Sequence, residues 1–526
     1  MEKKLMIAIS AFIFVTGVNA QTQYDAARFM GSELNGTARF VGMGGAMGAL
    51  GGDISVMGTN PAGIGIYRSN DIVVSFGFNN TGTKSDFQGS VMKEDKTKMS
   101  FDNIGFVYST KIGNNTSLRY VNFGFNYHKS KNFNKVMAMG GSLNGLSQTF
   151  QIADLTYGLY PNIYDQLIDP KVNPYTKFND VGFLTNMGAW CDLIAPVIDE
   201  NTGKPAVNSE GGGIYAGWAG LDNYYYSRES GGVSQYDFNV AFNIEDRVYL
   251  GFTLGAYDVN YNRYSYYDEN LDAGDGTSVG GYSLENWFNT EGTGIDVKFG
   301  AIVRPFEDSP FRLGLAVHTP TWYNLTDSYS AYMVSDIDGY HYEQDTYREL
   351  GDRDYVQDYQ IVTPWKFNVS MGTTLSGLVA LGAEYEYEDY SMAKIKDPDG
   401  RTLPMTDLVK NDLKGMHTLR LGMEARVTPQ FTVRAGYNFS SAAFKDTAFK
   451  SFYDGDTRTD TEFNNVMENN VFTVGLGYRG SVIYTDLAYK YDTYKSDFYA
   501  FDDAALKATK VDNNRHQLLL TIGARF

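Results

Sequence analysis

Cysteine is almost absent from this chain, which has only Cys191 among its 526 residues. A single cysteine cannot form an internal disulfide, so hydrogen bonding and packing must hold the fold together. Long apolar runs are also missing, because no segment after the N-terminus approaches the ~20 continuous apolar residues that a spanning helix requires. These absences exclude a disulfide-stabilised scaffold and a helical membrane protein.

Basic residues are scarce, since 44 Lys and Arg stand against 62 Asp and Glu and give a formal net charge of -18. Nucleic-acid-binding proteins normally carry a basic face, so we expect no nucleic-acid partner. Histidines are few and scattered without metal-ligand spacing: His128, His318, His341, His417 and His516. We therefore expect no metal site and no cofactor. The alternative is a weak surface calcium site in the acidic run Asp268–Asp275, which has calcium-loop residues without the required spacing. No cluster of acid, His or Ser stands at a strand end, so we do not expect an enzyme.

The N-terminus has the pattern of an export signal. Lys3 and Lys4 precede an apolar run, and Val18-Asn19-Ala20 offers small residues for cleavage before Gln21. We predict that residues 1–20 are a signal peptide. Because residue 21 is not cysteine, a lipoprotein anchor at that site is not expected.

Tyrosine, phenylalanine and glycine are abundant, with 40, 33 and 56 residues respectively. Aromatic residues in such excess suit the interfacial girdles of a membrane β-barrel. Apolar and polar residues also alternate with a period of two, as in Phe431–Phe439 and Leu419–Val427. About fourteen strands are predicted to begin near Asp71, Phe101, Leu118, Ser234, Val248, Gly294, Phe311, Pro364, Gly377, Met416, Phe431, Val471, Ser481 and Asn514.

The connections between these strands alternate between short turns and long polar loops. The longest is an extracellular loop over residues 128–233, which is long enough to carry its own structure. An even strand count, together with the alternation of short turns and long loops, predicts an all-β fold. The predicted architecture is an antiparallel transmembrane β-barrel. A soluble β-sandwich would also show alternating strands, but such a loop would be unusual in it.

The C-terminal residues Leu518, Leu520, Ile522, Ala524 and Phe526 share one face of the last strand. This ending resembles that of outer-membrane barrel proteins, in which a final strand ending in Phe is the recognition signal for the barrel assembly machinery. The resemblance implies that Phe526 contacts this machinery. It also implies the outer membrane of a Gram-negative-type bacterium, with outer-membrane lipid around the barrel.

A glycine-rich segment precedes the first strand and ends in Asn60-Pro61-Ala62. Its glycines allow tight packing and positive φ, and they are Gly42, Gly44, Gly45 and Gly48. Asn60 can bond neighbouring backbone and Pro61 fixes φ, so the unit is a rigid turn; an ordinary turn is the alternative. The segment resembles the plug (hatch) of the FadL/TodX family of outer-membrane transporters. This resemblance implies a fourteen-stranded barrel over 71–526 with an N-terminal plug over 21–70.

The resemblance also implies a function, the passive transport of long-chain fatty acids or other hydrophobic or amphipathic molecules. In the family a kink in the third strand opens the wall, so that plug rearrangement is followed by lateral release. Gly124 is the residue of the matching strand best suited to such a kink, with plain lumen packing as the alternative. The alternative function is a surface-exposed binding or structural barrel whose loops contact external partners.

Strand parity predicts which charged residues face the lumen, where a cationic group would hold the head of an amphipathic ligand. The candidates are Arg312, His318, Lys366, Arg420 and Arg434. The alternative is that they pair with lumen acids such as Glu424 and Asp296 and only fill a polar interior.

Overall fold

The computed structural model describes residues 21–156, 159, 163–177, 181–209, 211–452 and 455–526. The predicted signal peptide lies outside the described residues. Strands dominate the described chain, and their bounds are β1 Asp71–Phe87, β2 Ser90–Lys111, β3 Leu118–Asn132, β4 Lys135–Ser142, β5 Ile194–Pro196, β6 Ile198–Asp199, β7 Lys204–Pro205, β8 Tyr215–Gly217, β9 Gly220–Ile244, β10 Val248–Asp272, β11 Ser278–Val303, β12 Arg312–His318, β13 Trp322–Ile337, β14 Tyr340–Asp345, β15 Tyr355–Val362, β16 Lys366–Leu375, β17 Val379–Asp389, β18 Lys394–Lys396, β19 Gly415–Arg426, β20 Phe431–Ser440, β21 Phe463–Arg479, β22 Ile483–Tyr499 and β23 Thr509–Arg525.

The helices are short and lie between or before the strands. They are α1 Gln23–Phe29, α2 Ala38–Gly42, α3 Gln148–Asp154, α4 Ile163–Leu167, α5 Pro174–Lys177, α6 Phe183–Trp190, α7 Thr346–Glu349 and α8 Met405–Asp412, with 3-10 helices at Ile54–Gly58, Pro61–Ile66 and Tyr390–Met392. Within the described ranges, no helix has both the length and the apolar character needed to cross a bilayer.

The large sheet closes into a barrel of fourteen antiparallel wall strands. Closure occurs between the first and last strands, where Asp71 pairs with Arg525 and Asp86 pairs with Lys510. Three wall strands are interrupted, and each is built from two segments: β3 with β4, β12 with β13, and β15 with β16. The fourteen-stranded antiparallel barrel expected from periodicity is confirmed.

The outer face of the barrel is apolar and exposed, whereas the inner face is buried and largely polar. In β1 the alternation leaves Ile72 50% exposed, and in β23 it leaves Leu520 41% exposed, while Ser75 and Thr521 are buried. Apolar side chains exposed around a closed wall need a hydrocarbon surrounding, and closure pairs the first strand with the last. The protein is therefore a transmembrane β-barrel.

The two ends of the barrel differ. One end has short connections, such as Glu245–Arg247 between β9 and β10 and residues 427–430 between β19 and β20. The other end has long connections that carry α3–α6 and α8. Because barrels of this type have short periplasmic turns and longer external loops, the short-turn end faces the periplasm. The exposed Phe526 lies at that end, bonded through its backbone to Asn70, and its partner remains a prediction.

Several strands begin earlier than their predicted positions. The second wall strand begins at Ser90 and not near Phe101, and β11 begins at Ser278 and not near Gly294. β9 begins at Gly220, so much of the expected loop 128–233 is wall, and residues 143–219 make the connection. Charged and polar residues occupy both faces in parts of these extensions, as in Lys93–Lys98 of β2, so the alternation that predicted the strands ends before the strands do.

The N-terminal segment, residues 22–66, fills the barrel interior and is the plug. Its backbone lies directly against inward-facing glycines of five neighbouring strands: Gly372, Gly382, Gly422, Gly436 and Gly475. A Cβ built on Gly436 would lie 2.1 Å from the backbone nitrogen of Gly44, and one on Gly382 would lie 2.0 Å from the carbonyl oxygen of Ala46. We call these five residues the glycine row, and a side chain at Gly382, Gly422 or Gly436 would collide with plug backbone.

We predict that Gly436→Ala unseats the plug. The added methyl group would collide with plug backbone, which cannot rotate away, so the free energy of unfolding should fall by about 1–3 kcal/mol, as for an overpacked core. Urea unfolding of the protein in lipid vesicles measures this change, and limited proteolysis should cleave the plug faster.

Gly82→Ala is the matched control, because the nearest atom to its built Cβ is the Glu94 carbonyl oxygen at 3.9 Å. Equal stability of the Gly436 and Gly82 variants would contradict the tight seating of the plug.

Candidate functional site

A cavity of about 420 Å³ lies between the first part of the plug and the loop-side half of the barrel. Plug residues Tyr24–Leu34 form one side, and wall residues from β3, β4, β9, β10 and β19–β23 form the other. Its volume falls within the range of small-molecule pockets, roughly 300–1,000 Å³. We call it the upper cavity.

The lining of the upper cavity combines apolar and charged side chains. The apolar part is rich in aromatic rings and methionine: Met30, Phe133, Met137, Tyr225, Tyr261, Phe444, Phe463 and Phe498. Such a lining fits a hydrocarbon or aromatic ligand, because flexible methionines and flat rings adapt to apolar shapes.

Most cations at the upper cavity are already paired with carboxylates. Arg420 donates to Glu384 at 2.6 Å and to Glu386 at 3.1 Å. Arg515 is bonded to Glu33 of the plug, and Arg28 lies 2.7 Å from Asp25. These guanidinium groups fix the plug and the wall, and their charge is neutralised by their partners.

Two lysines at the upper cavity differ from these arginines. Lys131 donates from Nζ to the carbonyl oxygen of Arg28 at 2.7 Å, and Lys135 Nζ lies 6.0 Å from the ring centroid of Tyr494. Among the described residues neither lysine forms an ion pair. They are the groups available to bind an anionic head group, because no carboxylate of the described residues lies within ion-pair distance of either ammonium group.

Sequence reasoning missed these two lysines because it assigned residues 128–233 to a loop. The sequence did contain a signal for them, because Lys129 and Lys131 continue the two-residue alternation at the end of the third strand. In the structure this strand continues to Asn132 and resumes at Lys135.

The five predicted lumen candidates are spread over three cavities. Arg420 lines the upper cavity, His318 and Lys366 line a cavity of about 40 Å³ at the middle of the barrel, and Arg312 and Arg434 line one of about 520 Å³ at the short-turn end. The structure therefore does not bring the five together.

Each of the remaining four contacts protein groups. Lys366 lies 3.4 Å from Glu388, and Arg434 lies 2.7 Å from Asp486. His318 Nε2 is 2.9 Å from the Thr59 carbonyl oxygen, and Arg312 donates to the Leu50 carbonyl oxygen. Such contacts favour the alternative of a filled polar interior, and head-group binding by these residues remains a prediction. Within the described residues, no group of three His, Cys, Asp or Glu is arranged to hold a metal.

The Asn60-Pro61-Ala62 unit begins a 3-10 helix of the plug. Asn60 caps it, since its side-chain oxygen accepts from the Ala62 N–H at 3.2 Å. The unit rests on Gly251 and Gly300 of the wall, where a built Cβ would lie 2.2 Å from Pro61 C and 2.1 Å from Asn60 Oδ1. The motif thus packs rigidly against the wall, and its role in transport remains a prediction.

The four predicted plug glycines lie against the wall. Gly44 and Gly45 have φ of 61° and 80°, which only glycine adopts readily. A Cβ built on Gly42 would lie 3.4 Å from Gly475 Cα, and the Gly48 N–H donates to Glu384 at 2.9 Å.

The predicted kink at Gly124 is not where the third strand is irregular. Gly124 pairs in regular register with Val107 and Asn239, and the register shifts fall between Leu118 and Tyr120 and between Lys129 and Lys131. A Cβ built on Gly124 would lie 2.0 Å from Cε of Met57 in the plug. The absence of a side chain at Gly124 lets Met57 of the plug lie close to the wall, and the role of Gly124 as a lateral-gate kink remains a prediction.

A break in the wall lies above this position. The ladder between β2 and β3 ends at the pair Asn103–His128. Among the described residues, Ser90–Asp102 pairs only with β1, and β4 pairs only with β9. The β1–β2 hairpin lies over β4, with Thr83 Oγ1 donating to the Val136 carbonyl oxygen at 2.8 Å. We call this break the β2–β4 seam.

The loop between β20 and β21 folds into the barrel and buries its residues Asp456–Glu462. Arg458 lies 3.5 Å from Asp25 of the plug, and its guanidinium carbon is 4.0 Å from the ring centroid of Phe288. Burial raises the pKa of Asp456 to about 7, although the Arg458 N–H, the Arg458 guanidinium and Lys450 lower it. This inward segment joins the external loops to the plug.

The structure was compared with known structures. It aligns with the crystal structure of a Pseudomonas aeruginosa FadL homologue at a TM-score of 0.51 and 14% identity, covering 94% of this chain and 99% of that chain. The chain has the FadL-type barrel fold. At the level of the fold, this confirms the resemblance to the FadL/TodX family and the outer-membrane barrel class.

Two further alignments are weaker. The Ralstonia pickettii toluene transporter TbuX aligns at a TM-score of 0.45 and 14% identity, and the P. putida toluene transporter TodX at 0.48 and 10%, each covering 94% of this chain and 99% of the other. No protein-family model and no curated protein matches the sequence.

We predict that the inward segment opens as the pH rises. The pKa of Asp456 is raised on folding, so its stabilising effect is complete at acidic pH and is lost as the pH passes about 7. Hydrogen exchange of residues 455–462, corrected for intrinsic rates, should therefore show less protection at basic pH than at acidic pH. Asp456→Asn should remove this difference. Asp399→Asn, at an exposed loop position, should keep it, and an unchanged pH dependence in Asp456→Asn would contradict the assignment.

Proposed function

We propose that the protein is an outer-membrane passive channel for long-chain fatty acids or other hydrophobic or amphipathic molecules. The observation that carries the proposal is the upper cavity, an apolar space inside a lipid-facing barrel with two lysines free of ion pairs at its wall. The fold agrees with this function, since it is shared with a protein described as a FadL homologue.

In this proposal the ligand enters from the loop side. Its apolar part lies among Met30, Phe444 and Phe463, and an anionic head group is bound by Lys131 and Lys135. The hydrocarbon leaves water for an apolar surface, which gains about 0.8 kcal/mol per buried CH₂. The lysines confer preference for amphipathic anions over uncharged hydrocarbons.

Passage straight through the barrel is closed by the plug, which packs on the glycine row. We propose that the ligand leaves sideways through the β2–β4 seam. The seam lies beside the upper cavity, because Phe133 and Met137 line the cavity on the segments that border the seam. Separation there breaks side-chain contacts, such as Lys98 Nζ to Asn134 Oδ1 at 3.2 Å, but no ladder hydrogen bonds of the described strands. Opening any paired part of the wall would in addition break ladder hydrogen bonds.

We predict that Lys131→Gln/Lys135→Gln weakens binding of dodecanoate about tenfold, because a charge-assisted hydrogen bond is worth roughly 1.5–3 kcal/mol. Binding of 1-dodecanol should not change, since it has the same chain without the charge. Fluorescence titration of the purified protein in an uncharged detergent measures both, and uptake of labelled dodecanoate by cells should fall in parallel.

Lys507→Gln is the matched control, since Lys507 is an exposed loop residue. Lys135→Gln alone tests the site without disturbing the Lys131 contact with the plug. Equal loss for dodecanoate and dodecanol would indicate a damaged cavity, and no loss for dodecanoate would refute the head-group assignment.

We predict that bridging the seam blocks release. In a Cys191→Ala background, Lys98→Cys/Asn134→Cys treated with a short bis-maleimide should lose most uptake while it still binds dodecanoate. Each single cysteine variant with the same reagent is the control. Normal uptake by the bridged protein would exclude the seam as the exit.

A further inference from the structure

The cavity of about 520 Å³ at the short-turn end is strongly basic. We call its six arginines the arginine vestibule: Arg39, Arg312, Arg426, Arg434, Arg479 and Arg525. Glu424 is the one acidic residue among the described residues that line it. This concentration of cations stands out in a chain whose formal net charge is -18.

Three carboxylates form ion pairs with four of these arginines. Glu424 lies 2.9 Å from Arg39 and 2.6 Å from Arg434. Asp486 lies 2.7 Å from Arg434 and 3.1 Å from Arg479. The fourth arginine, Arg525, lies 2.7 Å from Asp71.

The remaining two arginines have no carboxylate partner among the described residues. Arg312 donates from Nη1 to the Leu50 carbonyl oxygen at 2.7 Å, while its buried Nε has no hydrogen-bond partner. Arg426 is exposed at the mouth of the cavity, next to the turn that contains Pro429. A buried donor without an acceptor is unfavourable, and Arg312 therefore has donor capacity that the described residues do not use.

Both walls of the vestibule belong to defined parts of the fold. Arg39 comes from the plug, and its Nη1 donates to the Gly52 carbonyl oxygen at 2.8 Å. Arg312 lies on β12 and holds the neighbouring plug residue Leu50. An occupant of the vestibule would therefore contact plug and wall together.

We propose that the arginine vestibule is a binding site for an oxyanion, a carboxylate or phosphate group, that approaches from the periplasmic end. The planar guanidinium fork matches both groups and binds them through paired N–H donors. The oxyanion is either a small soluble anion or the head group of an amphipathic molecule. The site lies on a different part of the plug from the upper cavity, so it stands independently of the transport proposal.

The test is calorimetric titration of the full chain in an uncharged detergent at low ionic strength. The two probes are inorganic phosphate and hexyl phosphate, which share the head group and differ in the chain. Both should bind, and both affinities should fall as salt is added, because screening weakens charge attraction. Arg312→Gln/Arg426→Gln should bind each probe at least tenfold more weakly.

Arg426→Gln alone keeps the variant free of folding effects, because the Arg426 side chain is exposed and has no partner among the described residues. This variant should weaken binding several-fold. Arg401→Gln, which removes an exposed arginine of another loop, is the matched control and should bind as the unaltered chain does. Far-UV circular dichroism and the unfolding temperature verify that each variant is folded.

Equal affinity for the two probes would support a site for a soluble oxyanion, and tighter binding of hexyl phosphate would support a head-group site for amphipathic molecules. Absence of phosphate and hexyl phosphate binding would overturn the proposal. So would equal affinities of the double variant and Arg401→Gln.

Discussion

The rest of the structure depends on the close packing of the plug backbone against the glycine row. At Gly382, Gly422 and Gly436 the wall has no side chain, so the plug backbone reaches the sheet itself. This contact places the plug across the lumen and divides the interior into the upper cavity and the arginine vestibule. The two cavities differ in chemistry because different parts of the plug, residues 24–34 and 39–66, complete them.

Cations that form ion pairs hold the structure together, whereas cations without a carboxylate partner are available to bind a ligand. Inside the barrel, a cation that meets a carboxylate fixes the plug or neighbouring strands, as Arg420 does with Glu384 and Glu386. Lys131 and Lys135 at one cavity, and Arg312 and Arg426 at the other, have no such partner among the described residues. Because an unneutralised cation attracts anions, and does so more strongly where it is buried, the binding proposals rest on these few side chains.

The third wall strand joins the plug to the route out of the barrel. Its lower part pairs on both sides and contacts Met57 through Gly124, whereas its upper part pairs only with β9. Ladder hydrogen bonds hold the wall where the plug must be seated. They are missing where the upper cavity borders the seam. A single strand therefore combines a rigid base with an edge that can separate.

The sequence by itself determined the barrel and its strand number, because lipid outside and polar groups inside impose a period of two on the wall strands. The same rule placed Arg420 and Arg434 on the inner face. The rule could not give the position of a side chain along the barrel axis or its ion-pair partner. The alternation of residues along a strand indicates only which face of the wall a residue occupies. The position of the plug followed from the resemblance of the glycine-rich segment to the FadL/TodX family. Tertiary structure decided that Gly124 is a contact point, that the wall extends beyond the alternating segments, and that Lys131 and Lys135 are the available cations. Each of these depends on strands that are distant in the chain and meet only when the barrel closes around its plug.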